Sequence, residues 1–309
     1  MKQANAPLFR DPVHDGAADP VVIFNRKTLT HYMFYTNRRA DVIEDGEMWI
    51  HGTDIGIAES RDAGNSWEYI GICRGLEYES DRNTYWAPEI IFHKDAYHMY
   101  VSYVPGIPKD WNAPRYILHY TSENLIDWSF ENKLELPSDR VIDACIFQKP
   151  DGTFRMWYKD ERDNSHTHYA DSKDLYNWTH VGCAIDDVPH EGVNVFKFGG
   201  RYWLITDCWQ GQDVYFSDDL EHWKKQKTRI LDRGSSRPDD NVIGNHADVV
   251  VCGNRAYIFY FTHPERKRYD QVFNPSERRT SIQAAELEIK DGSLVCDRNR
   301  EITIELSRS

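Results

Sequence analysis

The chain has 309 residues and a formal net charge of −13, with 37 basic against 50 acidic side chains. That balance excludes a phosphate-backbone binder, which needs a basic surface, and no apolar run approaches the roughly 18 residues of a membrane helix; neither a nucleic acid nor a membrane is expected as a partner. Six cysteines without a CxxC pair exclude a ribbon-type zinc site and point to reduced thiols.

The opening MKQANAPLFRDPVHDG holds no apolar signal-like core, so the cytoplasm is the default expectation, or the periplasm if a signal has been removed. Five apolar hairpins then follow in order: ADPVVIFNRKTLTHYMFYT from Ala18, PEIIFHKDAYHMYVSYV from Pro88, DACIFQKPDGTFRMWYK from Asp143, EGVNVFKFGGRYWLIT from Glu191 and HADVVVCGNRAYIFYFT from His246. Asp-Gly, Gly-Gly and Gly-Asn dipeptides mark turns in the last three. Offset from them runs a second repeat, in which SRDAGNSW, TSENLIDW, DSKDLYNW and FSDDLEHW end on Trp67, Trp128, Trp178 and Trp223. Ser and Asp side chains can cap such turns through the backbone while the indole packs beneath.

Units recurring at roughly 50 residues, each worth about four strands, predict an all-β fold, a five-bladed β-propeller of antiparallel blades. The stretch SIQAAELEIKDGSLV (281–295) would supply the late strands of the last blade, with N-terminal residues at the closure. No Pro/Ser-rich linker interrupts the chain, so one catalytic domain spanning 1–309 is expected. Ten Trp, 18 Tyr and 13 Phe suit so large a β-core.

The inner strands of a propeller surround its axis, so the polar residues that open the hairpins would converge there. They are Asp19, Glu89, Asp143, Glu191 and His246. A single polar residue before a strand is commonly a turn former, but five at one apparent phase form a constellation. Carboxyls around a cavity suit glycosidic bond cleavage: one is protonated and donates to the leaving oxygen, another is ionised and activates water or attacks the sugar. Tyr85, Trp86, Trp111 and Trp209 would build a sugar platform, with Arg115, His51 and His166 as weaker hydroxyl contacts. The irregular loop VPGIPKDWNAPR (104–115) would form a rim. His166 and His168 hint at a metal, but strand alternation offers no third ligand nearby.

In AADPVVIF, TYWAPEIIF, VIDACIFQKPDGTF, HEGVNVFKFGGRYW and NHADVVV, over about residues 15–260, the chain resembles glycoside hydrolase family 43 and its five-bladed relatives. The resemblance implies Asp19 as general base, Asp143 as the acid that tunes the donor's pKa and orients the sugar, and Glu191 as general acid. It also implies Glu89 near the substrate floor and His246 at the axis, meeting a water or a central divalent cation; no cofactor is required. The pair His190-Glu191 is similar to family 117, the 3,6-anhydro-L-galactosidases, in which a histidine is the proposed acid. Glu191 is preferred over His190 because a carboxyl pair is the commoner arrangement.

The expected function is therefore exo-acting, inverting hydrolysis of a terminal sugar from plant or algal oligosaccharides. It would be arabinofuranosidase- or xylosidase-like, or anhydrogalactosidase-like, with the oligomeric state open. The alternatives are a non-catalytic carbohydrate-binding propeller and a glycoside phosphorylase, whose phosphate would need Arg237, Arg266 and Arg268. A sialidase is disfavoured: SRDAGNSW fits an Asp-box only as a turn brace, and no arginine triad is evident.

Overall fold

The computed structural model describes residues 2–266 and 274–308. Among them are five four-stranded antiparallel sheets, each in simple sequential order. Blade 1 holds β1 (Ala17–Asn25), β2 (Thr30–Asn37), β3 (Asp54–Ser60) and β4 (Glu68–Ile72). Blade 2 holds β5 (Thr84–His93), β6 (Ala96–Val104), β7 (Tyr116–Ser122) and β8 (Ser129–Lys133). Blade 3 holds β9 (Val141–Gln148), β10 (Phe154–Asp160), β11 (His166–Ser172) and β12 (Trp178–Ile185). Blade 4 holds β13 (Glu191–Phe198), β14 (Arg201–Asp207), β15 (Gln212–Ser217) and β16 (Lys224–Lys225), and blade 5 holds β17 (Ala247–Cys252), β18 (Arg255–Thr262), β19 (Ser281–Lys290) and β20 (Ser293–Cys296). The first strands touch one another around a ring, β1–β5–β9–β13–β17 and back to β1, so the fold is the predicted five-bladed propeller. Among the described residues no helix is long and apolar enough to cross a membrane.

The core lies between blades. Alternate residues of one strand serve opposite neighbours: on β18, Tyr257, Phe259 and Phe261 pack against blade 1, while Ala256, Ile258 and Tyr260 pack against blade 4. Such strands are buried on both faces, which is why they read as unbroken apolar runs. Trp67, Trp128, Trp178 and Trp223 each pack against the preceding blade.

The turns before Trp128, Trp178 and Trp223 share one construction. Ser122 Oγ accepts from Leu125 N (2.9 Å), Ser172 Oγ from Leu175 N (3.0 Å) and Ser217 Oγ from Leu220 N (3.0 Å). Each leucine takes a positive φ (66°, 69° and 67°) and buries its side chain. The side-chain cap offsets a conformation that leucine otherwise avoids.

The ring closes without exchanging a blade strand. The 281–295 segment forms β19 and β20, as expected, while Leu8, Phe9, Ile302, Ile304 and Leu306 plug the seam between blades 1 and 5. Phe9 bridges Ile282, and Ile304 N donates to Asn65 Oδ1 (2.8 Å). Ile304 is fully buried. Ile304→Ala is expected to cost about 2–5 kcal/mol, read as a lower urea midpoint at an unchanged m-value; a change within error would show that the C-terminal plug does not hold the ring.

Candidate active site

At the mouth of the axis the first strands of blades 1–4 all break register. Two residues oppose one: Asp19-Pro20 face Tyr35, Ala87-Pro88 face Val101, Asp143-Ala144 face Tyr158, and Gly192-Val193 face Thr206. The first residue of each bulge has a positive φ: 52° at Asp19, 43° at Ala87, 60° at Asp143 and 60° at Gly192. Pro20 and Pro88 fit here because the ladder needs no donor at a bulge. Bulges re-aim side chains and recur beside active sites.

This register corrects the single-phase expectation. Asp19 and Asp143 occupy the bulge itself, and Glu191 stands one residue before it, matching Trp86 and Ile142. Glu89 stands two residues beyond Ala87 and drops below the floor, where it accepts from Ile146 N (2.7 Å). It does not line the cavity, so it is not a sugar contact. The signal was available, since the prolines of ADP and WAP align Ala87, not Glu89, with Asp19.

The cavity above encloses about 670 Å³, and Asp19, Asp143, Glu191, His246, Trp86 and Trp209 all line it. Arg38 Nη2 lies 3.1 Å from Asp19 Oδ1, and His246 Nδ1 lies 3.7 Å from the same oxygen. Gly192 N donates to Asp143 Oδ2 (3.0 Å), and a Cβ on Gly192 would come within 2.7 Å of the His246 ring. Glycine at this bulge therefore serves both the backbone twist and the histidine's approach.

Lys159 from β10 bridges Glu191 Oε2 (3.1 Å) and Glu161 Oε1 (3.3 Å). Burial pushes the Glu191 carboxyl up, but the Lys159 ammonium, aided by Trp209 and His246, outweighs this and holds it below the usual glutamate range. Asp143 goes the other way: burial raises it to about 6, with Glu191 and Asp19 adding repulsion against the pull of His246 and Lys159. Asp207, directly across the ladder from Glu191, is pushed well up by burial and then by Glu191. In this state protons are held on Asp143 and Asp207 before Glu191.

Trp86 Nε1 donates to Ile50 O (2.6 Å), which fixes its ring in the wall, while Trp111 and Trp209 are 50% and 40% exposed and present usable faces. Arg115 is buried behind Trp86 and Trp111 and ion-pairs with Glu161 (3.1 Å), and it reaches the lining. Two other expected contacts lie elsewhere. Tyr85 points into the seam between blades 1 and 2 and its hydroxyl donates to Leu76 O, so it is core rather than platform. His190 is fully buried and off the cavity: Nε2 meets Thr167 Oγ1 (2.6 Å), Nδ1 meets Val188 O (2.7 Å), and burial lowers its pKa. With both nitrogens engaged in a packed turn, it cannot reach a leaving oxygen and is withdrawn as the acid.

Among the weaker candidates, His51 backs the Trp86 ring and is pushed down to about 4 by burial, and His166 sits outside the lining. Arg237 donates to Ala284 O (2.8 Å), away from the cavity, Arg266 reaches the rim, and Arg268 lies outside the described residues. Sequence reading missed Lys159, Arg38, Trp49, Glu161 and Asp207. Only Lys159 and Asp207 carried a signal, as charges ending apolar, aromatic strands that bury them.

Below the floor, Asp248 accepts from Val22 N (2.9 Å) and Asn194 Nδ2 (3.1 Å), and burial raises it to about 6. Burial, then Asp248, pushes Glu89 well up. The buried Asn194 Oδ1 has no hydrogen-bond partner. Oxygen donors with one orphaned carbonyl, beneath an axial histidine, fit a hard cation.

The sequence model of glycosyl hydrolases family 43 matches residues 9–206. Among solved structures, a thermostable family-43 glycoside hydrolase superposes with a TM-score of 0.69 at 19% identity, covering 97% of this chain and 99% of its own. The β-xylosidase/α-arabinofuranosidase CoXyl43 from a compost microbial metagenome, solved with xylotriose in a calcium-free form, gives 0.69 at 14% identity, covering 95% and 96%. The β-1,3-galactosidase BT3683, solved with galactodeoxynojirimycin, gives 0.67 at 14% identity, covering 96% and 98%. Among curated proteins none matches the chain by sequence. The likeness to family 117 remains a resemblance carried by His190-Glu191 alone. A propeller whose bulged inner strands gather three carboxyls, together with a family match over most of the chain, makes this protein a glycoside hydrolase of family 43.

Proposed function

We propose that the chain is an exo-acting, inverting glycosidase that removes a terminal neutral sugar of the arabinofuranoside, xyloside or galactoside kind from an oligosaccharide. The observation that carries this reading is the charge pattern of the three carboxyls in one cavity. Asp19 faces the Arg38 guanidinium and acts as the base for water. Glu191, at the head of blade 4, donates to the leaving oxygen. Asp143, anchored by Gly192 N and close enough to Glu191 to feel its charge, orients the sugar. A cavity floored by the axis favours a chain end over a chain middle. Hydrolysis by a carboxyl pair needs only water and the two carboxyls.

Lys159 adds a control step. While it bridges Glu191 and Glu161, the donor is held ionised. Substrate that displaces the ammonium toward Glu161, or desolvates Glu191, lets the donor take up its proton. A central divalent cation, held by Glu89, Asp248 and Asn194 and reached through water by His246, would neutralise the axial carboxyls when bound.

Asp19→Asn and Glu191→Gln are each expected to lower kcat by about 10²- to 10⁴-fold on whichever oligosaccharide of a xylo-, arabino- and galacto-panel is cleaved. NMR should show the inverted anomer first. A retained anomer would overturn the inverting mechanism, phosphate-dependent turnover would favour a phosphorylase, and no cleavage of any glycoside would favour a binding propeller.

The donor must be protonated, so activity falls as pH rises through its pKa, and Lys159 keeps that pKa low. Lys159→Met should move the basic limb of kcat/KM to higher pH by about one unit or more. An unmoved limb would remove Lys159 from control of the donor.

A further inference from the structure

The two outer strands of blade 3 carry a cluster that the cavity does not use. The turn from β10 to β11 passes through Asn164 and Ser165, both at positive φ (53° and 58°), and brings Asp163 back over β11. There Asp163 Oδ2 lies 2.7 Å from His168 Nε2 and 3.5 Å from His166 Nδ1. His168 is paired directly across the ladder with Cys183 of β12, between two register irregularities that flank the pair. One ligand atom each from Asp163, His168 and Cys183 falls within 4.8 Å of the others. None of the three lines the active-site cavity. In the sequence, His166 and His168 lacked a third ligand; the fold supplies it from the next strand and the preceding turn.

We propose that Asp163, His168 and Cys183 form a peripheral binding site for a borderline-soft divalent ion of the zinc class, with its fourth position open to solvent. Nitrogen, sulfur and carboxylate donors suit zinc and disfavour calcium or magnesium, which prefer oxygen alone. Asp163 and Cys183 are exposed, so an ion can enter without opening the blade. Asp160 and Asp186 add negative charge around Cys183 and favour a cation there. An Asp163–His168 pair alone would explain the 2.7 Å contact, but not why a thiol stands opposite that histidine. Among the described residues the thiol otherwise meets only backbone oxygens, Thr167 O at 3.5 Å and Ile185 O at 3.6 Å. On binding, the His168 ring moves its proton from Nε2 to Nδ1 by exchange with water, the Cys183 thiol gives its proton to water, and Nε2 and the sulfur turn from these partners to the ion. The ion would tie the 161–165 turn to the edge strand β12.

The test uses the purified full chain, freed of metal by a chelator that is then removed. Zinc titration should give one equivalent bound, cobalt(II) should give a thiolate-to-metal charge-transfer band, and zinc should raise the melting midpoint. Cys183→Ser and His168→Ala, each checked for native circular dichroism, should weaken zinc binding by about tenfold or more, and Cys183→Ser should abolish the cobalt band. The proposal fails if wild type binds no zinc at about 100 µM, if cobalt binds without a thiolate band, or if both variants bind zinc as wild type does.

Discussion

The bulge at the head of each of the first four inner strands is the constraint on which the site depends. A regular antiparallel strand alternates its side chains between two faces, and here both faces are buried between blades. Beyond its first residues, an unbroken inner strand would therefore send its side chains into the seams. The extra residue, in the left-handed conformation, turns Asp19 and Asp143 out of that alternation and into the cavity. The conformation carries a local backbone cost, and aspartate and glycine tolerate it better than most residues. The interblade clusters hold the strands on either side and leave the bulge no easy way to relax.

Once the carboxyls are brought together, their ionisation is a collective property. Glu191 repels both Asp143 and Asp207 beside a cavity that also holds Lys159, Arg38 and His246. Burial alone would raise all three acids. Lys159 breaks the symmetry because its ammonium touches only Glu191 among them. In the proposed mechanism the donor is thus the group held ionised until something displaces the lysine, which would couple proton uptake to occupancy of the cavity.

Much of this was legible in the chain. Five hairpins, the turn signals and the repeated Trp turns give the blade count because each encodes a local structure. Asp19, Asp143 and Glu191 could be picked out because each opens an apolar strand. Glu89 was misplaced because counting from the strand start ignores a bulge, and a bulge shifts every later residue by one. Tyr85 and His190 were misplaced because sequence adjacency to a site residue says nothing about the opposite face of the strand. Tyr85 precedes Trp86 and His190 precedes Glu191, and in both cases the neighbour turns inward.

Local periodicities are written in the chain: alternation along strands, turn chemistry, the repeat and therefore the propeller, and the acids that begin its inner strands. Those features depend on residues within a few positions of one another. Which charges meet is settled only when the blades pack. Lys159 comes from a second strand, Arg38 from the end of another, and Asp207 from across the ladder, and the Asp163–His168–Cys183 cluster joins a turn to two strands. Coulomb forces and ligand geometry act through space, and the separations on which they depend do not exist until the blades are packed.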